Sequence, residues 1–400
     1  MTRTVRPRSL LRPRKGHEHG KVTFVELFFD LVFVFAVTQL SHGLLKDLTL
    51  LGAVRTGLLF LAVWWVWIYT SWVTNWLDPE RTPVRLLLLV LMLAGLVLST
   101  SLPEAFAEKG LGFAGAYVFM QVGRSLFTAA ALRRHSPGNY RNFLRISAWL
   151  ILSGLFWIAG ALAEEQRLTL WAIALAIEYA SPSLGFWTPG LGRSTTTDWN
   201  VEGGHLAERC ALFVIIALGE SILVTGATFG ELPSDAATVA AFLISFIGSV
   251  AMWWIYFDIG AERGSHRISH SDDPGRLARI AYTYIHLLIV AGIIVGAVAD
   301  ELVLAHPAGH AEGAAVATLL GGPALYLLGN TLFKWTTAGR IPLSHLAGLL
   351  LLAVLIPASG SLSPLLLGTA TTAVLIVVAV WERLSLRHVR AEALSSAEIG

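Results

Sequence analysis

The sequence predicts an all-α integral membrane protein with about twelve transmembrane helices in two parallel six-helix repeats. Its 400 residues are 55% hydrophobic and 14% charged, against roughly 25% charged in an ordinary soluble domain, and the mean hydropathy is +0.64. Basic loop residues fall on alternate sides of successive apolar stretches, and certain glycine, tryptophan and glutamate positions recur in the two halves. The 14 Trp and 37 Gly suit the same class, because Trp collects at membrane interfaces and Gly lets helices approach closely in lipid.

In chain order, residues 1–21 form a basic tail with Arg3, Arg6, Arg8, Arg12, Arg14, Lys15 and Lys21. No apolar core with a small-residue cleavage site follows the basic stretch, so it reads as a cytoplasmic anchor rather than a secretory signal. A formal net charge of only +2 argues against a nucleic-acid arm. Apolar stretches long enough to cross the hydrocarbon core lie near 23–44, 55–76, 83–103, 111–132, 144–163 and 168–187. A further six lie near 206–227, 236–257, 278–303, 313–335, 343–360 and 363–382. The first six make a repeat over 22–187, the polar, Gly-rich linker 188–205 follows, the second repeat covers 206–382, and 383–400 is a second cytoplasmic tail.

Lys and Arg should sit on the cytoplasmic side of a correct topology. With both termini inside, "DPERTPVR", "RRHSPGNYRNFLR", "GAERGSHRISHSDDPGRLAR", "KWTTAGR" and "ERLSLRHVR" are inside as well. The outside receives "LPEAFAEKG", "LAEEQR", "GELPSD" and "ADELVLAHPAGHAEG", which are mostly acidic or mixed.

The repeat is carried by "MLAGLVLSTSLPEAF" (from Met92) against "IVAGIIVGAVADELV" (from Ile289), which pairs Glu104 with Glu301, and by "GAYVFMQVGRSLF" against "GGPALYLLGNTLF". Trp67-Ile68-Tyr69 likewise matches Trp254-Ile255-Tyr256, and the order of spans sets Glu26 opposite Glu208. Gly95, Gly123, Gly292 and Gly329 are expected at close helix crossings.

Charges at membrane depth cost about 2.5–3.5 kcal/mol each on insertion scales, so they face partners or water inside the bundle. Glu26 and Asp30 lie four apart, on one helix face with Phe33 and Val37, and Asp30 sits about 12 Å into its span. The structural alternative makes Glu26 a helix-start acid favoured by the macrodipole and ties Asp30 to an arginine of another span. The functional one makes them a proton or cation site, since two close carboxylates in a low dielectric oppose joint ionisation. In the seventh span His205, Glu208, Arg209, Ile216 and Glu220 share a broad face. Arg209 is expected to bridge to Glu208 at the cytoplasmic end, while Glu220, flanked by Gly219 and Ser221, lies about 18 Å further along as a candidate pathway carboxylate. His286 stands mid-helix near Tyr282, either packed or a proton switch. Arg124 is the expected neutraliser of one acid, and Glu104 and Glu301 are candidate gate groups at outer ends.

Catalytic signatures are missing: "GES" at 219–221 has no strand-turn-helix context, and there is no P-loop, CxxC or HExxH. No catalytic residue, cofactor or metal is assigned, and the chain is expected not to be an enzyme. His266 and His270 with Asp272 and Asp273 read as a solvated loop rather than a metal site, and Cys210, the single cysteine, excludes an internal disulfide framework.

"VTFVELFFDLVFVFAVTQLSH" and "GHLAERCALFVIIALGESIL" resemble the two signatures of the bacterial low temperature requirement A (LtrA) family of multipass membrane proteins, and "YTYIHLLIVAGIIVGAVADEL" is similar to its third common segment. The resemblance runs from about Val22 to Trp381 and singles out Glu26, Phe29, Asp30, His205, Glu208, Arg209, Gly219, Glu220, Ser221 and His286. It implies a multipass fold in the bacterial cytoplasmic membrane and a link to growth in the cold. Joined to the residues, it points to a secondary transporter or channel for an ion or small solute, with Glu26, Asp30, His205, Glu208, Arg209, Glu220, Ser221 and His286 along the pathway. A membrane-embedded enzyme acting on a lipid or isoprenoid, and a membrane-state sensor or scaffold, are the alternatives. Expected partners are membrane lipids, an unidentified ion or small solute and a second copy of the chain, without nucleic acid.

Overall fold

The computed structural model describes residues 9–13, 21–199, 201–233, 235–258 and 260–387. Arg3, Arg6, Arg8, Arg14, Lys15 and most of the C-terminal tail lie outside them. The helices are α1 (Phe24–Lys46), α2 (Leu50–Trp76), α3 (Thr82–Ser101), α4 (Gly110–Val118), α5 (Arg124–Leu132), α6 (Pro137–Leu162), α7 (Arg167–Ala180) and α8 (Gly203–Glu231). They continue with α9 (Ala236–Phe257), α10 (Gly260–Ser269), α11 (Pro274–Leu277), α12 (His286–Ala305), α13 (Gly313–Ala338), α14 (Leu343–Ser359) and α15 (Pro364–Ser385).

Local chemistry sets several boundaries. Asp235 accepts the Thr238 N–H at 2.8 Å to start α9, and Ser363 accepts the Leu366 N–H at 3.2 Å with Pro364 at the first position of α15. Pro also opens α3 and α6, where its missing N–H costs nothing. Gly339, left-handed at φ 70°, closes α13. Wide π-type turns at Phe119–Gly123 and Ala278–Ile285 join α4 to α5 and α11 to α12.

Among the described residues nine helical segments are long and apolar enough to cross a membrane. Each of the twelve expected stretches is helical over most of its length. The three outside the nine are the interrupted pair α4 and α5, the 14-residue α7 and the 17-residue α14.

The chain divides into two compact units. One takes Met1–Gln39, Val54–Arg209 and Asp272–Arg276; the other takes Leu40–Ala53, Cys210–Ser271 and Leu277–Gly400. The first is built around aromatic side chains. Trp64, Trp65, Trp67, Trp157, Trp171 and Tyr117 are fully buried. In the second, glycines set a close crossing of α12 and α13: a Cβ on Gly292 would lie 2.5 Å from the Tyr326 nitrogen, and one on Gly329 2.8 Å from that of Ile289. Gly95 meets the Val32 side chain similarly, at 3.1 Å, within the first unit. Gly123 departs from the expectation: its nearest neighbour is Phe119 of the same π-type turn, at 3.9 Å, so it serves the turn rather than a crossing.

Connecting segments hold one another within each unit. Leu11 bridges to Leu77, with the Arg12 N–H on the Trp76 carbonyl at 2.8 Å. Thr196 donates to Asp273 at 2.8 Å. Arg167 reaches the Ala105 and Ala107 carbonyls at 3.3 and 2.7 Å. In the second unit Ala311 and Leu365 donate to Leu362 and Pro307 at 3.0 and 3.2 Å, and Lys334 grips both Glu382 oxygens at 2.6 and 2.7 Å.

Candidate functional site

The buried face of α1 carries Glu26, Phe29, Asp30, Phe33 and Val37, while Phe24, Phe28 and Leu31 point outward. Four residues advance about 400°, so the two acids stack on that face one turn apart. Both are fully buried, as are His205 and Arg209 on α8 and Trp67 on α2.

Glu26 is saturated with donors. One oxygen accepts from the Thr23 N–H at 2.8 Å, the Thr23 hydroxyl at 2.9 Å and Arg12 at 3.1 Å. The other faces His205 Nε2 at 2.8 Å and Arg209 Nη1 at 3.4 Å. Asp30 holds Arg209 Nη2 at 2.7 Å and the Trp67 indole N–H at 2.8 Å, both on Oδ1. The Arg209 guanidinium also lies 5.8 Å from the Trp67 ring centroid, within cation–π range. Asp30 Oδ2 is buried and has no hydrogen-bond partner among the described residues.

The neighbours of His205 assign its tautomer. Its Nε2–H donates to Glu26, and Nδ1 accepts from Asn75 Nδ2 at 3.3 Å. Asn75 cannot turn over freely, because its oxygen accepts the Glu202 N–H at 2.8 Å and its nitrogen donates to the Glu202 carbonyl at 2.7 Å. A proton on Nδ1 would set two donors against each other, so the imidazole is held neutral. Arg12, 3.3 Å from Nε2, then shares Glu26 with the ring as a second donor. Arg12 and Arg209 compensate Glu26 and Asp30, and the open Asp30 oxygen can take up a proton or small cation without breaking a bond.

The other expected residues are distributed more widely. Arg209 bonds to Asp30 rather than Glu208, because Glu208 turns to the surface and accepts the Val22 N–H at 3.3 Å. Arg124 does not neutralise an acid: it donates to the Val66 carbonyl at 3.1 Å, to Thr70 at 2.9 Å and to Gln121. Glu178 is held instead by Tyr117, Gln121, Ser153 and Trp157, at 2.5, 3.3, 2.7 and 2.9 Å.

In the second unit Glu220 is buried, and its neighbour Ser221 donates to Asp300 at 3.3 Å. His286 donates from Nδ1 to the Ala281 carbonyl at 2.8 Å and accepts from Tyr256 at 2.7 Å, stacked on Tyr282; every ring nitrogen is committed. Glu104 is exposed in the turn after α3, and Glu301 partly exposed in α12. His266 and His270 stack on each other while Asp273 caps the Arg276 N–H, and among the described residues no group of three or more His, Cys, Asp or Glu could hold a metal.

Sequence reasoning missed Arg12, Trp67, Asn75 and Glu202 as members of the cluster. Asn75, an amide inside an apolar span, was the available signal; nothing in the sequence marked Arg12 out among its basic neighbours.

Fold and site define a multipass α-helical membrane protein with a charge-compensated polar centre. The chain belongs to the bacterial low temperature requirement A protein (LtrA) family, whose model matches residues 21–380. It is 45% identical over 386 residues to an uncharacterized protein of Rhizobium meliloti (strain 1021), covering 95% of this chain and 93% of that protein. No solved structure matches it.

Proposed function

We propose that the protein is a secondary transporter or channel for an ion or small solute, with the Glu26, Asp30, His205 and Arg209 cluster as its coupling site. The observation that carries the reading is Asp30: one oxygen is tied to Arg209 and Trp67, the other is buried and open. A proton or cation arriving at Oδ2 cancels the charge that holds Arg209. The guanidinium is then left with Glu26 and its stacking on Trp67, so occupancy of one atom changes the bonding of α1, α2 and α8. Buried ion pairs are weak devices for stability, since apolar replacements often serve as well, and their presence at membrane depth favours a working role.

The topology that accompanies this reading is twelve crossings in two parallel six-helix halves, with both termini cytoplasmic in the bacterial inner membrane. It is supported by the loop contacts. Each joins segments that the charge pattern puts on one side: Leu11 with Leu77, Thr196 with Asp273 and Lys334 with Glu382 inside, Arg167 with Ala105 and Ala311 with Leu362 outside. A role in cold growth belongs to the same proposal through the family.

The test is flux in proteoliposomes under an imposed pH gradient across a panel of monovalent ions, comparing wild type with Asp30→Asn. Gradient-driven flux in the wild type and its loss in a folded variant supports coupling; equal flux in both overturns it. A scaffold reading is favoured by one observation, the full donor set around Glu26. It predicts that cold-growth complementation survives Asp30→Asn.

A further inference from the structure

A second polar centre, built around Asp300, lies in the second unit. A cavity of about 30 Å³ opens between α9, α12, α13 and α15, about twice what one water molecule needs. Asp300, Ser245, Thr371 and Thr372 give it a carboxylate and three hydroxyls. Asp300 accepts from Ser221 at 3.3 Å and from Ser245, and Ser221 lies 3.4 Å from the Ser249 hydroxyl. Among the described residues no arginine, lysine or histidine pairs with Asp300, in contrast to Asp30. The wall also includes Leu319 and Pro323 of α13. Pro323 has no N–H to offer the Leu319 carbonyl four residues earlier, so that carbonyl is released from the helix ladder.

We propose that this cavity binds an alkali-metal cation, with Asp300 as its charged ligand and Ser245, Thr371 and Thr372 as neutral ones. A carboxylate and hydroxyl oxygens suit a hard cation, and the sulfur in the wall is the neutral Met252 thioether. One carboxylate balances one positive charge; a divalent ion would leave a net charge in an apolar surround, and an anion would meet the carboxylate. A proton alone needs no cavity and no ring of hydroxyls. Asp300 is partly exposed and lies about 8 Å from the end of α12, which gives an ion a short way in.

Binding stands apart from the coupling role proposed for the first cluster, because it is read in detergent without flux. Purified protein is melted in LiCl, NaCl, KCl or choline chloride at constant ionic strength, and binding of radioactive ²²Na⁺ is measured directly. A saturable rise in midpoint with at least one alkali cation over choline is expected, absent in Asp300→Asn. Ser245→Ala, which keeps the carboxylate, should weaken half-saturation about five- to tenfold. No cation-specific rise, or an unchanged rise in Asp300→Asn, overturns the site; should Asp300→Asn not fold, an unchanged half-saturation in Ser245→Ala with Thr372→Val overturns it equally. A protein that binds the cation yet carries no flux would sink the transport reading alone.

Discussion

Arg209 is the residue on which the charge cluster closes, since it alone among the described residues touches both Glu26 and Asp30 from α8. Arg209→Leu should therefore destabilise by about 3–5 kcal/mol, because it strands the buried Asp30 while Glu26 keeps Arg12 and His205; the midpoint of unfolding in detergent reads this, and a loss under 1 kcal/mol would place Asp30 in water. Trp67→Phe keeps an aromatic side chain but drops the indole N–H on Asp30, for which about 1–3 kcal/mol is expected. That Asp30 needed a partner was legible from its depth alone. Its partner was not, because Glu208 and Arg209 are neighbours in sequence and about 100° apart on the helix. One rotates to the surface while the other turns inward. Arg124 went to carbonyls and a glutamine for a related reason: residue type fixes the demand for acceptors, and only packing decides which acceptors answer.

At the scale of helices, close crossings and caps carry the energetics. Gly292→Ala puts a Cβ against the backbone of Tyr326, where no rotamer can relieve it, and should cost about 1–3 kcal/mol. Gly123→Ala meets only Phe119 at 3.9 Å and should leave the midpoint nearly unchanged; equal effects of the two would refute the crossing. In the repeat Gly292 is matched with Gly95 and Gly123 with Gly329, and the sequence held no sign that Gly123 lay in a wide turn. Asp235 offers a pH test outside the apolar spans. The Thr238 N–H holds its carboxyl below the usual 3.8, so the cap is complete above that value and fades as the pH falls through the lower folded value. Asp235→Ala should speed hydrogen exchange at Thr238 at pH 7 and make little difference once the wild-type Asp235 carboxyl is protonated.

For the whole molecule, the helical class was legible because apolar length is a property of the lipid boundary, and the long apolar stretches are helical. Compact units were less so: Leu40–Ala53 and Asp272–Arg276 group with residues distant in sequence, which no linear pattern reports. Sidedness can be read with single cysteines in a Cys210→Ser background. Positions such as Arg81 and Arg340 should react only from the cytoplasmic side, and Lys109 and Glu312 only from the other. Asp30 and Arg209 together decide what the cluster is for. Asp30→Asn/Arg209→Gln removes both charges at once, so the fold should survive with no stranded ion. The deciding measurement is pH-gradient-driven flux of this double variant in proteoliposomes: a folded protein with flux abolished is the expected result, and a folded protein with wild-type flux would contradict a coupling role for Asp30.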